Sequence, residues 1–452
     1  MKKRLFGVMM SAAMIGSSMM SMSAFAEEET KEVPENEISG DVASEDAFVV
    51  WGWNDDIKKI LDGPFKDAYP DDYERIVFVN TGGSDYYQSK LDPILDDPSS
   101  ELYPDLMGLE VDYVQKYVNN PDWVMAAADL GITEDDMKNM YQYNIDLGTD
   151  VDGNVRALFW QATPGCIQVR ADLAEKYLGT TDPDELAKMF ADYDTILETA
   201  KKVNDASEGK CKLFSGYDEL KRMLTNSRSV GFYDENDKIT LDDNIQKYME
   251  LAKAMYDDEL TYNTAQWGAD WYACMDGDGV ESNAAAAYMG CPWFTYWCLS
   301  DAWKDNTILV PTPDQCYWGG TGLAATANCS DTELAGKIMK YLTCDVDGMT
   351  AINALNSDYV NNTEAIAGII ESGASADGNG YLYSKSGQNF MEFFLPLADG
   401  LDASTVTAED QQILSMLDTQ VQAYATGEKD LDTAIEDLKA AIHDTYSYLS
   451  VE

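Results

Sequence analysis

Apolar residues along this chain follow two alternating rhythms. Between residues 47 and 110, the short apolar runs FVVWGW, RIVFVN and PDLMGLE are separated by stretches with helical spacing, as at Ile57, Ile60 and Leu61. Side chains alternate across a strand and repeat every 3.6 residues around a helix, so this order predicts β-α-β-α-β. NVRALFWQA and GCIQVR continue the strand rhythm around Thr163-Pro164-Gly165. The next segment, TDPDELAKMFADYDTILETAKKV, is helical, with Asp182 placed to cap it and Pro183 suited to its first turn. A largely helical middle gives way to the strand-like AAAAYMG, NTILVPTP and GGTGLAATA. Ser330-Asp331-Thr332-Glu333 then opens a helix with a capping box, and the chain ends in a helix with Leu431, Ile435, Leu438, Ile442 and Leu449 on one face.

Strand–helix units that appear early, stop and reappear late predict two α/β lobes built from interleaved segments. The expected division is an N-terminal lobe of residues 47–157 and 308–347 and a C-terminal lobe of 158–307 and 348–452, with a hinge near 159–164. Two consecutive domains are the alternative, but no long Gly/Ser/Pro linker separates them. At 452 residues the chain exceeds one ordinary core, and it shows no internal repeat at a fixed period.

Residues 1–26 have the form of an export signal: Lys2, Lys3 and Arg4, then a Met/Ala/Ser-rich apolar stretch, then the small-x-small site Ala24-Phe25-Ala26. The mature chain is expected to begin at Glu27 and to be soluble outside the cell or in the periplasm, with residues 27–46 an acidic disordered tether. No cysteine precedes Cys166, which predicts no lipoprotein-type acylation. With 31 Lys and Arg against 81 Asp and Glu, the formal charge of −50 repels nucleic acid and anionic lipid. The eight cysteines lack paired metal-ligand spacing and predict a bridge or two, or buried thiols in an oxygen-free setting.

Several chemistries lack their residues. His443 is the only histidine, and it follows the apolar Ile442 in the last helix, which disfavours a histidine-dependent hydrolase. GTDVDGNVRALF and CMDGDGVESNAA carry Gly148 or Cys274 at the first calcium-ligand position and Phe159 or Ala285 at the twelfth, so both read as ordinary turns. YWGGTGLAA lacks the lysine and spacing of a phosphate loop. No metal or cofactor is expected.

The aromatics are informative. In VVWGWNDD, residues 49–56, Trp51 and Trp53 share a face of a strand that exits into Asn54 and Asp55. Trp160, Trp267, Trp271, Trp293 and Trp318 likewise stand near polar residues, Gly or Pro at predicted strand ends. A pyranose ring offers apolar C–H faces and a hydroxyl rim, which flat aromatics and Asp, Glu, Asn or Gln complement. A place in the core is the alternative for each tryptophan.

From about residue 48 onward the sequence resembles an extracellular solute-binding protein of family 1, the maltose-binding-like carbohydrate receptors of ABC importers. The motifs are VVWGWNDD, YPDLMGLEVDYVQKYV, AAAAYMGCPWF, NTILVPTP and SDTELAGKIMKYLTCDVDGMTAINA, in that order. The resemblance implies an α/β, two-lobed periplasmic-binding-protein-like fold of type II, with the ligand cleft between lobes joined by a hinge. It implies Trp53, Asn54 and Asp55 at the first strand exit, Glu110 and Asp112 after the P-D strand, and Trp293 as a stacking platform. SKSGQNFMEFF resembles the helix start facing the cleft and implies Gln388 and Phe390. Trp160, Gln161, Trp267, Trp271 and Trp318 join this set by aromatic content and position. Receptors of this family from Gram-positive bacteria usually carry a lipobox cysteine, and this chain departs from that pattern.

The function implied is capture of a neutral sugar or oligosaccharide by a monomeric, non-enzymatic receptor that delivers it to membrane permease subunits. A secreted glycoside hydrolase and a glycan-binding surface protein are the alternatives. Amino-acid or peptide ligands would call for an arginine in the cleft, and Arg156 and Arg170 are the arginines near the expected hinge.

Overall fold

The computed structural model describes residues 33–374 and 376–451. The expected export signal and the first part of the tether lie outside the described residues. Eleven strands are present among them: β1 (Glu37–Ser39), β2 (Phe48–Gly52), β3 (Ile76–Asn80), β4 (Leu106–Glu110), β5 (Leu158–Phe159), β6 (Cys166–Arg170), β7 (Cys211–Lys212), β8 (Ala284–Ala285), β9 (Ala287–Gly290), β10 (Thr307–Pro311) and β11 (Thr321–Ala325).

The first sheet has the order β1-β3-β2-β4-β11-β5. Strands β3, β2 and β4 are parallel, as the early β-α-β-α-β pattern predicts, and β11 enters antiparallel between β4 and β5. Strands β2 and β11 are buried at every position, the mark of strands covered on both faces. The second sheet runs β10-β6-β9, antiparallel throughout, with β7 and β8 paired in parallel beside it.

Each sheet seats a core. The first gathers Trp51, Phe65, Leu109, Tyr117 and Phe159, and the second Ile167, Phe190, Tyr248, Trp271 and Phe294. One stretch partitions differently from the sequence-based division. Met349, Ile352, Tyr359, Ile366, Phe390 and Phe394 pack in the first core, although residues 348–452 were expected with the second lobe. The helices Asp410–Ala425 and Leu431–Thr445 do pack in the second core, through Ile413, Leu417, Leu438 and Ile442.

Local chemistry sets the helix starts. Asp182 accepts the Glu185 N–H with Pro183 in the first turn, as its spacing predicts. Asp331, rather than Ser330, caps the helix Thr332–Thr343 by accepting the Leu334 N–H. Leu449 lies past the end of the last helix, where its carbonyl meets His443 Nδ1 at 2.6 Å. Part of the expected tether is ordered: residues 37–39 pair with β3, and Lys90 Nζ donates to the carbonyls of Pro34 and Thr81 and to Asn36 Oδ1. A lysine with three oxygen acceptors anchors a segment that composition alone marks as unstructured.

Two chain crossings run side by side between the lobes. The Trp318 N–H donates to the Thr163 carbonyl at 3.1 Å, the Gly165 N–H to the Cys316 carbonyl at 2.7 Å, and Thr163 Oγ1 to the Gly319 carbonyl at 2.7 Å. All eight cysteines are free thiols, and those at 166, 291 and 316 are buried at this junction of strands. No helix among the described residues is long and apolar enough to cross a membrane.

Candidate functional site

The carboxyl ends of β2 and β4 and the start of β11 lie along one edge of the first sheet, where open α/β sheets hold ligands. Trp53 follows β2 directly. Its half-buried ring meets Tyr87 edge-on at 5.2 Å and Tyr113 at 6.4 Å. Gly108 makes this packing possible, because a Cβ there would stand 3.3 Å from the indole and 2.6 Å from Ile57 Cδ1. Glu110 ends β4, and its Oε2 accepts the Asp112 N–H at 2.6 Å. The Tyr113 hydroxyl beside them is buried with no hydrogen-bond partner among the described residues.

Asp112 receives both terminal nitrogens of Arg222, which comes from the helix Lys221–Thr225 of the second core. The guanidinium also lies 5.8 Å from the Trp318 ring centroid. Burial would raise the Asp112 carboxyl, but the guanidinium outweighs it and holds the group below its usual range. Glu110 behaves oppositely: burial first, then the Asp112 charge, push it well above the usual range despite Arg222. The site therefore combines an ion pair with a carboxyl that burial shifts toward its uncharged form.

The second lobe supplies aromatic surface. Strand β9 ends at Gly290, and Pro292 opens the helix Pro292–Trp297 so that Trp293 stands at the strand exit. Its Nε1 donates to the Trp318 carbonyl at 3.0 Å. Trp267 lies 14° from parallel to Trp293 at 6.4 Å, and Trp318 closes the triangle at 5.3 Å from Trp293 and 5.7 Å from Trp267. Trp267 is 46% exposed and has φ of 68°, a strained conformation for a bulky residue and one that concentrates at functional positions. A Cβ on Gly319 would come within 2.8 Å of Glu110 Oε1 and 3.4 Å of the Trp293 ring, so carboxyl and indole converge over a residue without a side chain.

Glu110, Asp112, Trp267, Trp293 and Trp318 of the expected set therefore come together, with Trp318 buried against the other two indoles at 3% exposure and Trp53 reaching the group through Tyr113. The others are placed elsewhere or already bonded. Trp160 is fully buried with its Nε1 3.2 Å from Asp358, and Gln161 joins Asp358 to the Thr321 N–H. Trp271 is buried and donates to Glu219 at 2.6 Å. Phe390 packs on Phe394 in the first core, and Gln388 bonds both backbone groups of Leu309 on the edge of β10. Asn54 and Asp55 are exposed; Asn54 accepts the Asp56 N–H and Asp55 accepts from Asn80 Nδ2. Sequence reasoning missed Arg222 and Tyr113. Tyr113 stood inside a quoted motif, but Arg222 lies in a helical stretch with no local signal that it would cross to the other lobe.

No protein-family model matches the sequence, and no curated protein matches it. Solved structures do. An extracellular solute-binding protein of family 1 superposes with a TM-score of 0.73 at 16% identity, covering 87% of this chain and 97% of that one. This chain has the fold of that family. A binding protein of Bifidobacterium animalis subsp. lactis in complex with β-1,6-galactobiose matches with TM-score 0.69 at 16% identity over 90% of this chain and 99% of its own. The galacto-N-biose-/lacto-N-biose I-binding protein of Bifidobacterium longum, in complex with lacto-N-biose, gives 0.69 at 14% over 90% and 98%. The fold is the two-lobed α/β, type II arrangement, and coverage of nearly the whole length of each neighbour means that both lobes take part in the match.

Proposed function

We propose that this protein is an exported, non-enzymatic receptor of the family 1 solute-binding type, which captures a neutral sugar or oligosaccharide and hands it, as a monomer, to the permease subunits of an ABC importer. The observation that carries this reading is the placement, at facing strand exits of two lobes, of the accessible Trp53, Trp267 and Trp293, backed by the buried Trp318, with Glu110 and Asp112. Indole faces suit the C–H faces of a pyranose, and the carboxyls suit its hydroxyls. The charge balance supports a neutral ligand, since Arg222 pairs with Asp112 and burial favours the uncharged form of Glu110. The structural neighbours are sugar-binding proteins rather than enzymes, and two of them hold disaccharides. A glycosidase requires two carboxyls free to act on either side of the scissile bond, whereas Asp112 is engaged by Arg222.

Calorimetric titration of the purified chain with a panel of mono- and oligosaccharides, amino acids and peptides tests the proposal. Binding of a neutral sugar without turnover is the expected result. Hydrolysis of a glycan at an enzyme-like rate, or binding of amino acids or peptides and no sugar, would overturn it.

A further inference from the structure

We propose that the Asp112–Arg222 pair sets the charge class of the ligand: it admits neutral sugars and rejects acidic ones, and without Asp112 the arginine becomes a carboxylate-binding residue. This rests on the sugar-receptor reading above.

Arg222 is the kind of residue that receptors for acidic ligands use, a planar fork matched to a carboxylate. Here both terminal nitrogens are already given to the two oxygens of Asp112, and the guanidinium carbon stands 5.8 Å over the ring of Trp318, one wall of the aromatic site. The side chains are 15% and 30% exposed, so neither charge is readily compensated by water once the other is withdrawn. An incoming uronate would have to displace Asp112 and leave it ionised beside Glu110, which already accepts its backbone N–H. Asp112 and the uronate would then compete for one guanidinium. The neighbouring base is engaged as well: Lys221 pairs with Asp418 at 2.7 Å. The cleft thus contains a cation without offering one. Asn in place of Asp112 keeps the volume and removes the competing charge, leaving the fork for a carboxylate from solution.

The test uses the full mature chain at pH 7 and isothermal titration with β-1,6-galactobiose and lacto-N-biose as neutral probes and digalacturonate as the acidic probe. Wild type should show no binding of digalacturonate, Asp112→Asn should bind it with an association constant at least tenfold above the detection limit set by wild type, and Asp112→Asn with Arg222→Gln should lose that binding. Asp112→Ser serves as a second unpairing variant, and far-UV spectra identify the folded ones. Binding of digalacturonate by wild type, or failure of both folded unpairing variants to bind it, would overturn the inference. The neutral probes report separately on the receptor reading: if wild type binds no neutral sugar while Asp112→Asn takes digalacturonate, the charge gate stands and the neutral-sugar assignment falls.

Discussion

Tyr296 donates its phenolic hydrogen to Asp358 and thereby joins a helix packed in the second core to a carboxylate seated in the first. Asp358 also accepts from Gln161 Nε2 at 2.8 Å, Trp160 Nε1 at 3.2 Å and Asn356 Nδ2 at 2.8 Å. One buried carboxylate thus ties Trp160 and Gln161 to elements of both cores. Hydrogen bonds to a charged group contribute about 1.5–3 kcal/mol, so Tyr296→Phe should lower stability by that order in urea unfolding. Because the bond joins the lobes, the variant should also have a larger radius of gyration by small-angle scattering.

Stability should fall as pH rises from about 5 to 7. Burial, aided by the Asp418 charge and opposed by the Gln266 N–H and by Lys221, pushes Asp218 from 3.8 up to about 7, and burial pushes Asp358 from 3.8 up to about 6. A carboxyl with a raised folded pKa binds its proton more tightly in the native state, so its contribution is present at low pH and is lost as pH passes through the folded value. Carboxyls held low in the native state, such as Asp112, are ionised throughout this window and add no slope. Each tenfold difference in proton affinity is about 1.4 kcal/mol, and Asp218→Asn should flatten the decline measured by denaturation at pH 5, 6 and 7.

The tryptophans should separate into two classes on substitution. Trp293→Ala and Trp53→Ala should each weaken sugar binding by about 1–3 kcal/mol while the far-UV spectrum is retained. Trp271→Ala should instead cost about 3–5 kcal/mol of stability. It removes a fully buried ring and leaves Glu219, itself buried, without one of its two donors. Titration and urea unfolding of the same set distinguish the classes.

Gly319→Ala tests the meeting point of Glu110 and Trp293. Its φ of 62° disfavours any side chain, and the new methyl would lie 2.8 Å from Glu110 Oε1. A stability loss of about 1–2 kcal/mol is expected from the backbone. Sugar affinity should fall further than Gly320→Ala makes it fall, because the Cβ of Gly320 would meet Thr163 and Val111 rather than the acid and the indole.

Much was legible in the sequence. The fully buried β2 and β11, the early parallel β-α-β pattern and the Asp182 cap all follow from local rules of periodicity and end chemistry. The ordered motifs indicated the two-lobed type II fold; Trp53 and Trp293 stood out as aromatics at predicted strand ends, and Glu110 through the family resemblance alone. What local pattern could not decide was the partner of each buried or polar face. Phe390 and Trp271 have the residue types of a stacking platform, yet each packs in a core because long-range contacts close over it. Residues 349–403 carry helical spacing that suits either lobe, and only packing against the first sheet assigns Met349, Tyr359 and Phe394 to it. Arg222 reached the cleft because its helix is held by Met223 and Leu224 in the second core while its guanidinium extends to Asp112 of the first. Periodicity fixes which side of an element is buried; what it is buried against depends on contacts between residues far apart in the chain, and that was decided only in the tertiary structure.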